Sequence, residues 1–284
     1  MTTEIPAVFK KDPFDMILFD NHTHSHHSPD SRMNMITAVE KIRKMSFRGI
    51  CFSDHYDFDP PEGIHRFTFH VESQQSDIEH LKKSYPDLEL LKGVEIGIQP
   101  VSMEAIGGFM KNHTFDTVIA SMHFIRGYDP YHGKYYDVYG YREAYGTYLQ
   151  DILESIRAFR DFDILGHFDY IARYSPYREH EISLKTFGDF LDPILQILAE
   201  NGKTFEINTK TYQPFAYGTP VLDVNILKRF RELGGEAVSL GSDAHTPERI
   251  GEQFDRYSEL LKQYGFRYGV YYKNREPKYI KIEG

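Results

Sequence analysis

Tryptophan is absent and cysteine occurs once among the 284 residues. A single Cys51, set in the apolar run Gly49-Ile50-Cys51-Phe52, excludes an intrachain disulfide framework and suits a reducing cytoplasm. Nor is there any run approaching the roughly eighteen apolar residues of a membrane span. The opening MTTEIPAVFKKDPFD has neither a basic-apolar signal pattern nor an Arg-rich transit pattern. The expectation is a soluble, unprocessed, cytoplasmic protein with no membrane partner. An excess of positive charge is missing too: 33 Lys and Arg stand against 42 Asp and Glu, a formal charge of -9. That balance disfavours nucleic acid as a partner, because phosphate-backbone binding relies on a basic surface. No linker, low-complexity tract or repeat divides the chain, so one domain over 1–284 is expected, with a C-terminal extension from about residue 265.

What is present is histidine, fourteen of them, and a regular alternation of two kinds of segment. Short apolar, β-branched runs at 17–21, 49–54, 88–96, 116–122, 163–167, 204–208 and 237–243 read as strands. Between them, helical periodicity covers 35–45, 71–84, 101–112, 141–160, 187–201, 221–233 and 250–264. Strands alternating with helices predict an α/β architecture of parallel strands and crossover helices. Asn34 and Asp189 read as helix caps, and Gly49, Gly202 and Gly234 as helix stops. The segment 126–148 carries eight tyrosines. Its first half reads as a loop, and the segment as a wet surface, a contact in a possible homodimer, or a lid over substrate.

Polar residues cluster where these strands end, the face on which α/β barrels place their active sites. The first strand runs into Asp20-Asn21-His22-Thr23-His24 and the second into Ser53-Asp54-His55. The third ends at Gly93-Val94-Glu95, the fourth at Ser121-Met122-His123, the fifth at Gly166-His167, and the last at Gly241-Ser242-Asp243-Ala244-His245. Residues two apart in an extended chain share a face, so His22 with His24, and Asp243 with His245, can aim at one ion. A lone His-x-His is more often structural than a ligand pair. Two such pairs at opposite ends of a strand/helix series, which barrel closure would bring together, point to metal. Glu95 follows an apolar run, where an unpaired carboxylate would be costly. His123 and His167 taken singly would read as satisfied core histidines. Asp30 reads equally as a turn residue after Ser28-Pro29, and Asp54 as a partner orienting His55. Arg173, soon after the fifth strand, and Arg126 are candidates for gripping phosphate.

Taken together, these motifs resemble the polymerase and histidinol phosphatase (PHP) superfamily. Asp20-Asn21-His22-Thr23-His24 with Ser28, Asp30 and Ser31 is similar to its first motif, Ser53-Asp54-His55 to its second, and Gly241-Ser242-Asp243-Ala244-His245 to its last. The resemblance spans about residues 17–250 and implies a distorted seven-stranded, TIM-like β/α barrel. It further implies two or three divalent ions, whether zinc, iron or manganese. Carried over, His22, His24, Glu95 and Asp243 would hold one ion, Glu95, His123 and His167 a second, and Asp30, His55 and His245 a third. Many relatives have histidine where this chain has Asp30. His245, Asp30 and Arg173 would be catalytic, and Arg173 and Arg126 would bind phosphate. The segments around His123, His167 and Glu206-Ile207-Asn208 look like the free-standing histidinol-phosphate phosphatases. That implies hydrolysis of a small phosphorylated substrate, L-histidinol phosphate, by metal-activated hydroxide in histidine biosynthesis. Other phosphate esters, such as a nucleotide, a nucleic-acid end or phosphotyrosine, are the alternatives. A metal-dependent amidohydrolase, which often opens with His-x-His, and a metal-stabilised binding module remain as further readings.

Overall fold

The structure, a computed structural model, describes residues 16–64 and 67–282. The first fifteen residues, where a leader would stand, lie outside that range. Seven strands pair in parallel in chain order: β1 (Phe19–Thr23), β2 (Gly49–Asp57), β3 (Glu89–Gly97), β4 (Thr117–Ser121), β5 (Ile164–Leu165), β6 (Thr204–Asn208) and β7 (Val238–Gly241). Parallel neighbours need crossovers. These run through α1 (Met35–Lys44), α2 (Val71–Ser84), α3 (Met103–Asn112), the pair α4 (Lys134–Val138) and α5 (Tyr141–Ala158), α6 (Leu184–Glu200) and α7 (Val224–Glu232), while α8 (Phe254–Gln263) follows the last strand. The helices' apolar stripes pack on the outside of the strands in one extensive core.

The sheet curls until β1 meets the end of β7. There the His24 amide donates to the Ala244 carbonyl (2.9 Å) and the Asp243 amide to the His22 carbonyl (2.8 Å). Buried Asp20 ties the same seam by accepting from the amides of Ser242 and Gly251, 3.0 Å each. Burial raises its pKa to about 6 against the opposing pull of those donors. The barrel is therefore closed at the end that carries the histidines. At the opposite end it is plugged by a hairpin, β8 (Tyr268–Lys273) and β9 (Glu276–Lys281). Its two-residue turn, Asn274-Arg275, has positive φ at both positions (53° and 64°), the form whose twist matches paired strands. Tyr271 stacks on Phe19 at 4.2 Å beside Cys51 and Leu91, while Val270 and Tyr272 join Ile119 and Ile164.

Several local expectations change. Asn34 does cap α1, its Oδ1 accepting from the amides of Ile36 and Thr37. Asp189, however, lies inside α6, which is capped by Ser183. Gly202 and Gly234 follow helices at left-handed φ of 60° and 88°. Gly49 instead opens β2, because a Cβ there would collide with the Glu89 carbonyl and the Phe19 ring. The tyrosine segment is not mainly surface: Tyr135, Tyr136, Tyr145 and Tyr148 are buried, and the stretch read as loop contains α4. These rings are admitted to the core because their hydroxyls find acceptors, Tyr148 on the Met122 carbonyl and Tyr136 on the Ile171 carbonyl.

Candidate metal centre

A bulge in β1 begins the site. Asp20 pairs with Ile50 and Thr23 with Phe52, so three steps on β1 oppose two on β2. The extra residue turns Asn21 inward onto the carbonyls of Leu240 and Val270, while His22 still reaches the centre. At the other side of the seam β7 has already ended when the chain reaches Asp243, whose φ is 51°. Asp243 and His245 therefore meet through a left-handed turn rather than through extended alternation. Such backbone is tolerated by aspartate and concentrates at functional sites.

Glu95, fully buried on β3, organises the histidines by its two oxygens. Oε1 lies 2.8 Å from His167 Nε2 and 3.1 Å from His123 Nε2. Oε2 lies 3.0 Å from His55 Nδ1, 3.1 Å from His22 Nε2 and 3.3 Å from His24 Nε2. His24 Nε2 is also 3.3 Å from Asp243 Oδ1. Toward the surface, Asp30 Oδ2 meets His245 Nε2 at 3.0 Å and His55 Nε2 at 3.6 Å. All nine residues expected as ligands thus converge on one centre. A half-exposed trio, His26, His27 and Asp77, stands apart from it.

These donors suit divalent cations. His22 Nε2, His24 Nε2 and His55 Nδ1 are buried and face the buried Glu95 Oε2 at 3.0–3.3 Å, yet none of the four atoms has a partner in hydrogen-bond geometry. Each such atom costs about 1–3 kcal/mol if left unsatisfied. Nitrogen and carboxylate oxygen facing one another are what zinc and its neighbours coordinate. Burial would raise Glu95, yet His22, His123 and His55 outweigh it and hold the carboxyl well below its usual range. Burial, with His55 and His245 nearby, pushes His24 well down, and burial brings His167 to about 4. Both rings are therefore neutral at pH 7, the form that ligates metal.

Around the donors stands a second set of groups. Asp57 Oδ1 accepts from His123 Nδ1 at 2.8 Å, and Glu206 Oε1 is 2.8 Å from His22 Nδ1, so each carboxylate fixes the ring whose other nitrogen faces Glu95. Asp54 plays a different part from the one expected. It accepts from the Ser25 amide and from the hydroxyls of Ser25 and Ser28, holding the loop after β1 rather than the His55 ring.

The centre forms the floor of a cavity of about 500 Å³. Among the described residues, Arg173 and Lys210 are its cationic lining. Arg173 is buried, donating to Asp243 (2.8 Å), Asn208 (2.9 Å) and Thr211 (3.0 Å), with its guanidinium over the Tyr170 ring. Lys210 places Nζ 3.1 Å from Asp243 Oδ1 and 3.3 Å from His245 Nδ1. Arg126 does not join them: it sits half-exposed in a fork on Asp151 and does not line the cavity. Lys210 and Asp57 were missed in the sequence, and Glu206 was noted there only as part of a motif, without a role. Lys210 stands two residues past the sixth strand end and so obeys the rule that found the others. Asp57 lies two residues beyond His55 on the same strand face, and Glu206 two before Asn208.

The PHP domain family matches residues 20–210. A histidinol-phosphatase of Lactococcus lactis is 32% identical over 87% of this chain and 91% of its own length. A probable histidinol-phosphatase of Clostridium acetobutylicum is 29% identical over 93% of this chain and all of its own length. Among solved structures, the L. lactis histidinol phosphate phosphatase, crystallised with zinc, L-histidinol and phosphate, aligns with a TM-score of 0.84 at 29% identity, covering 92% of this chain and 99% of that one. Seven parallel strands closing into a near-barrel, histidines at the strand ends and a match over most of the length agree on one conclusion: the chain belongs to the PHP domain family.

Proposed function

We propose that the protein hydrolyses L-histidinol phosphate to L-histidinol and phosphate, as a metal-dependent phosphoric monoester hydrolase. The observation that carries this reading is the alignment, over nearly its whole length, with an enzyme solved with zinc, L-histidinol and phosphate. The donor geometry adds the chemistry. His22, His24, Glu95 and Asp243 would hold one ion, Glu95, His123 and His167 a second, and Asp30, His55 and His245 a third. Divalent ions so held would neutralise phosphoryl oxygens and bring the pKa of water toward neutrality. The protein's own part is to place the ester. Arg173 and Lys210 offer N–H donors to the phosphoryl oxygens where they enter the cavity. Asp57 and Glu206 keep His123 and His22 in orientation. With only the two ions on Glu95 bound, His245, 3.0 Å from Asp30, would be the group left to protonate the departing alkoxide; a measured content of three ions per chain removes that role.

Phosphate release from L-histidinol phosphate, an aryl phosphate and a nucleoside monophosphate tests the substrate. Histidinol phosphate is expected to lead by at least about 10²-fold in kcat/KM. An equal rate on all three would sink the histidinol assignment and leave a general phosphoesterase.

Lys210 gives a sharper local expectation. Losing one charge-assisted bond to phosphate costs about 1.5–3 kcal/mol, so Lys210→Met should weaken product inhibition by inorganic phosphate about ten- to hundredfold with metal content kept. An unchanged inhibition constant would remove Lys210 from the phosphate site.

A further inference from the structure

The cavity has a second end whose character is opposite to its floor. In-line attack places the leaving oxygen on the far side of phosphorus from the attacking water. The alcohol half of the ester would therefore extend away from the metal centre along the remaining wall. That wall is aromatic: Tyr170 packs against His123 at 5.5 Å, Tyr174 against Tyr170 at 5.3 Å, and Tyr131 against Tyr174 at 5.2 Å between ring centroids. Tyr131, Asp129 and His132 complete the lining there. Tyr131 stays largely exposed, although Tyr135 and Tyr136, close by in sequence, are in the core.

Asp129 is the unusual member. Its side chain is only 12% exposed, and its sole salt-bridge partner among the described residues is the half-exposed His132, 3.6 Å away. Burial raises its pKa, and the amide of Tyr131 with the nearby His132 and His123 only partly opposes that rise. A mostly buried carboxylate on a tyrosine-lined cavity, with no lysine or arginine paired to it among the described residues, can receive a cation brought by the ligand. Asp129 also has an ordinary duty, since Oδ1 accepts the Tyr131 amide at 2.8 Å and caps the short turn Pro130–His132. That bond engages Oδ1, and among the described residues only His132 stands near the negative charge as a counterion.

We propose that Asp129, with the rings of Tyr131 and Tyr174, binds the ammonium group of the leaving alcohol, so that the site selects phosphate esters of amino alcohols. The proposal rests on the substrate reading above. The ammonium is preferred to the imidazole because an amine is fully charged at neutral pH, whereas a free imidazole near 6.5 is mostly neutral. Asp129 would then explain how an acidic protein sorts its substrates: ions and cationic side chains take the phosphate, and Asp129 takes the opposite charge of the same molecule.

Asp129→Asn separates binding from capping, because an amide oxygen still accepts the Tyr131 N–H while the charge is gone. The variant is assayed on L-histidinol phosphate and on the otherwise identical ester lacking the amine. Expected is a loss of about ten- to hundredfold in kcat/KM, mainly through KM, on the amino ester, and no more than about a twofold change on the amine-free ester. Equal losses on both esters, with the wild-type preference for the amine intact, would show that Asp129 acts through the fold and would overturn the proposal alone. A wild-type enzyme indifferent to the amine would overturn both this proposal and the histidinol reading.

Discussion

Glu95→Gln is expected to abolish stable metal binding and to lower kcat on the order of 10³-fold or more, while the chain still folds. Five histidine nitrogens lie within 3.3 Å of the two Glu95 oxygens. Each half of the cluster is therefore built on one atom of this side chain. Glutamine has the same shape, but one oxygen becomes an NH₂ that points a donor at whichever ion that side would hold. The electrostatic stabilisation lost in such sites is commonly 10²–10³-fold for a single donor, and here the ions would leave with it. Folding should survive for a physical reason. In the metal-free chain His22 and His123 sit well above their usual pKa because, against burial, carboxylates favour their protonated forms: Glu95 and Glu206 for the first, Asp57 and Glu95 for the second. When the Glu95 charge is removed, these rings can release protons instead of remaining as unpaired buried cations. The measurement is metal content by elemental analysis beside thermal unfolding with and without chelator. A ligand present at a thousand times its Kd stabilises by about 4 kcal/mol. At about 2–4 °C per kcal/mol for a chain of this order of size, chelation should lower the wild-type Tm on the order of 10 °C and leave the variant's unchanged. Full metal content in the variant would show that Glu95 does not join the two halves of the centre.

Much of this centre is legible in the residue order alone, and the reason is topological. A parallel barrel delivers every strand end to one face, so once the strands are placed, finding His22, His55, Glu95, His123, His167 and Asp243 at their ends implies that these residues meet. What the sequence does not display is how they meet. The bulge that keeps His22 aimed inward beside Asn21 has no signature in Asp20-Asn21-His22-Thr23, because alternation predicts opposite faces for those neighbours. The left-handed turn at Asp243 is likewise invisible, since most residues near a strand end continue extended. Arg126 illustrates the converse error. It follows the fourth strand end as Arg173 follows the fifth, yet one arginine turns outward to Asp151 and the other is buried against Asp243. Which way a loop carries its side chain depends on distant partners, and the pairing of Arg126 with Asp151 on α5 could not be read from spacing. The tyrosines failed for a similar reason: their burial depends on carbonyl acceptors such as those of Met122, Ala144 and Ile171, which belong to tertiary structure.

Arg173 carries the second large effect, and its two duties can be separated. Its guanidinium is buried, its pKa raised because Asp243 outweighs the burial that would lower it, and three of its five N–H donors go to Asp243, Asn208 and Thr211. Arg173→Ala would leave Asp243 with Lys210 as its remaining strong cation. Breaking a buried pair in this way typically costs about 3–5 kcal/mol, so a fall in Tm together with lost activity would be uninformative about phosphate. Arg173→Lys is the decisive variant. Lysine can still neutralise Asp243, and the Tm and metal content should return most of the way. A point charge cannot both face Asp243 and present a planar pair of donors to a phosphoryl group. The lysine variant should therefore remain down on the order of 10²-fold in kcat/KM, with weaker inhibition by inorganic phosphate. If lysine restores the kinetics as fully as the stability, Arg173 serves only to hold Asp243 in place, and the phosphate is gripped by Lys210 and the ions.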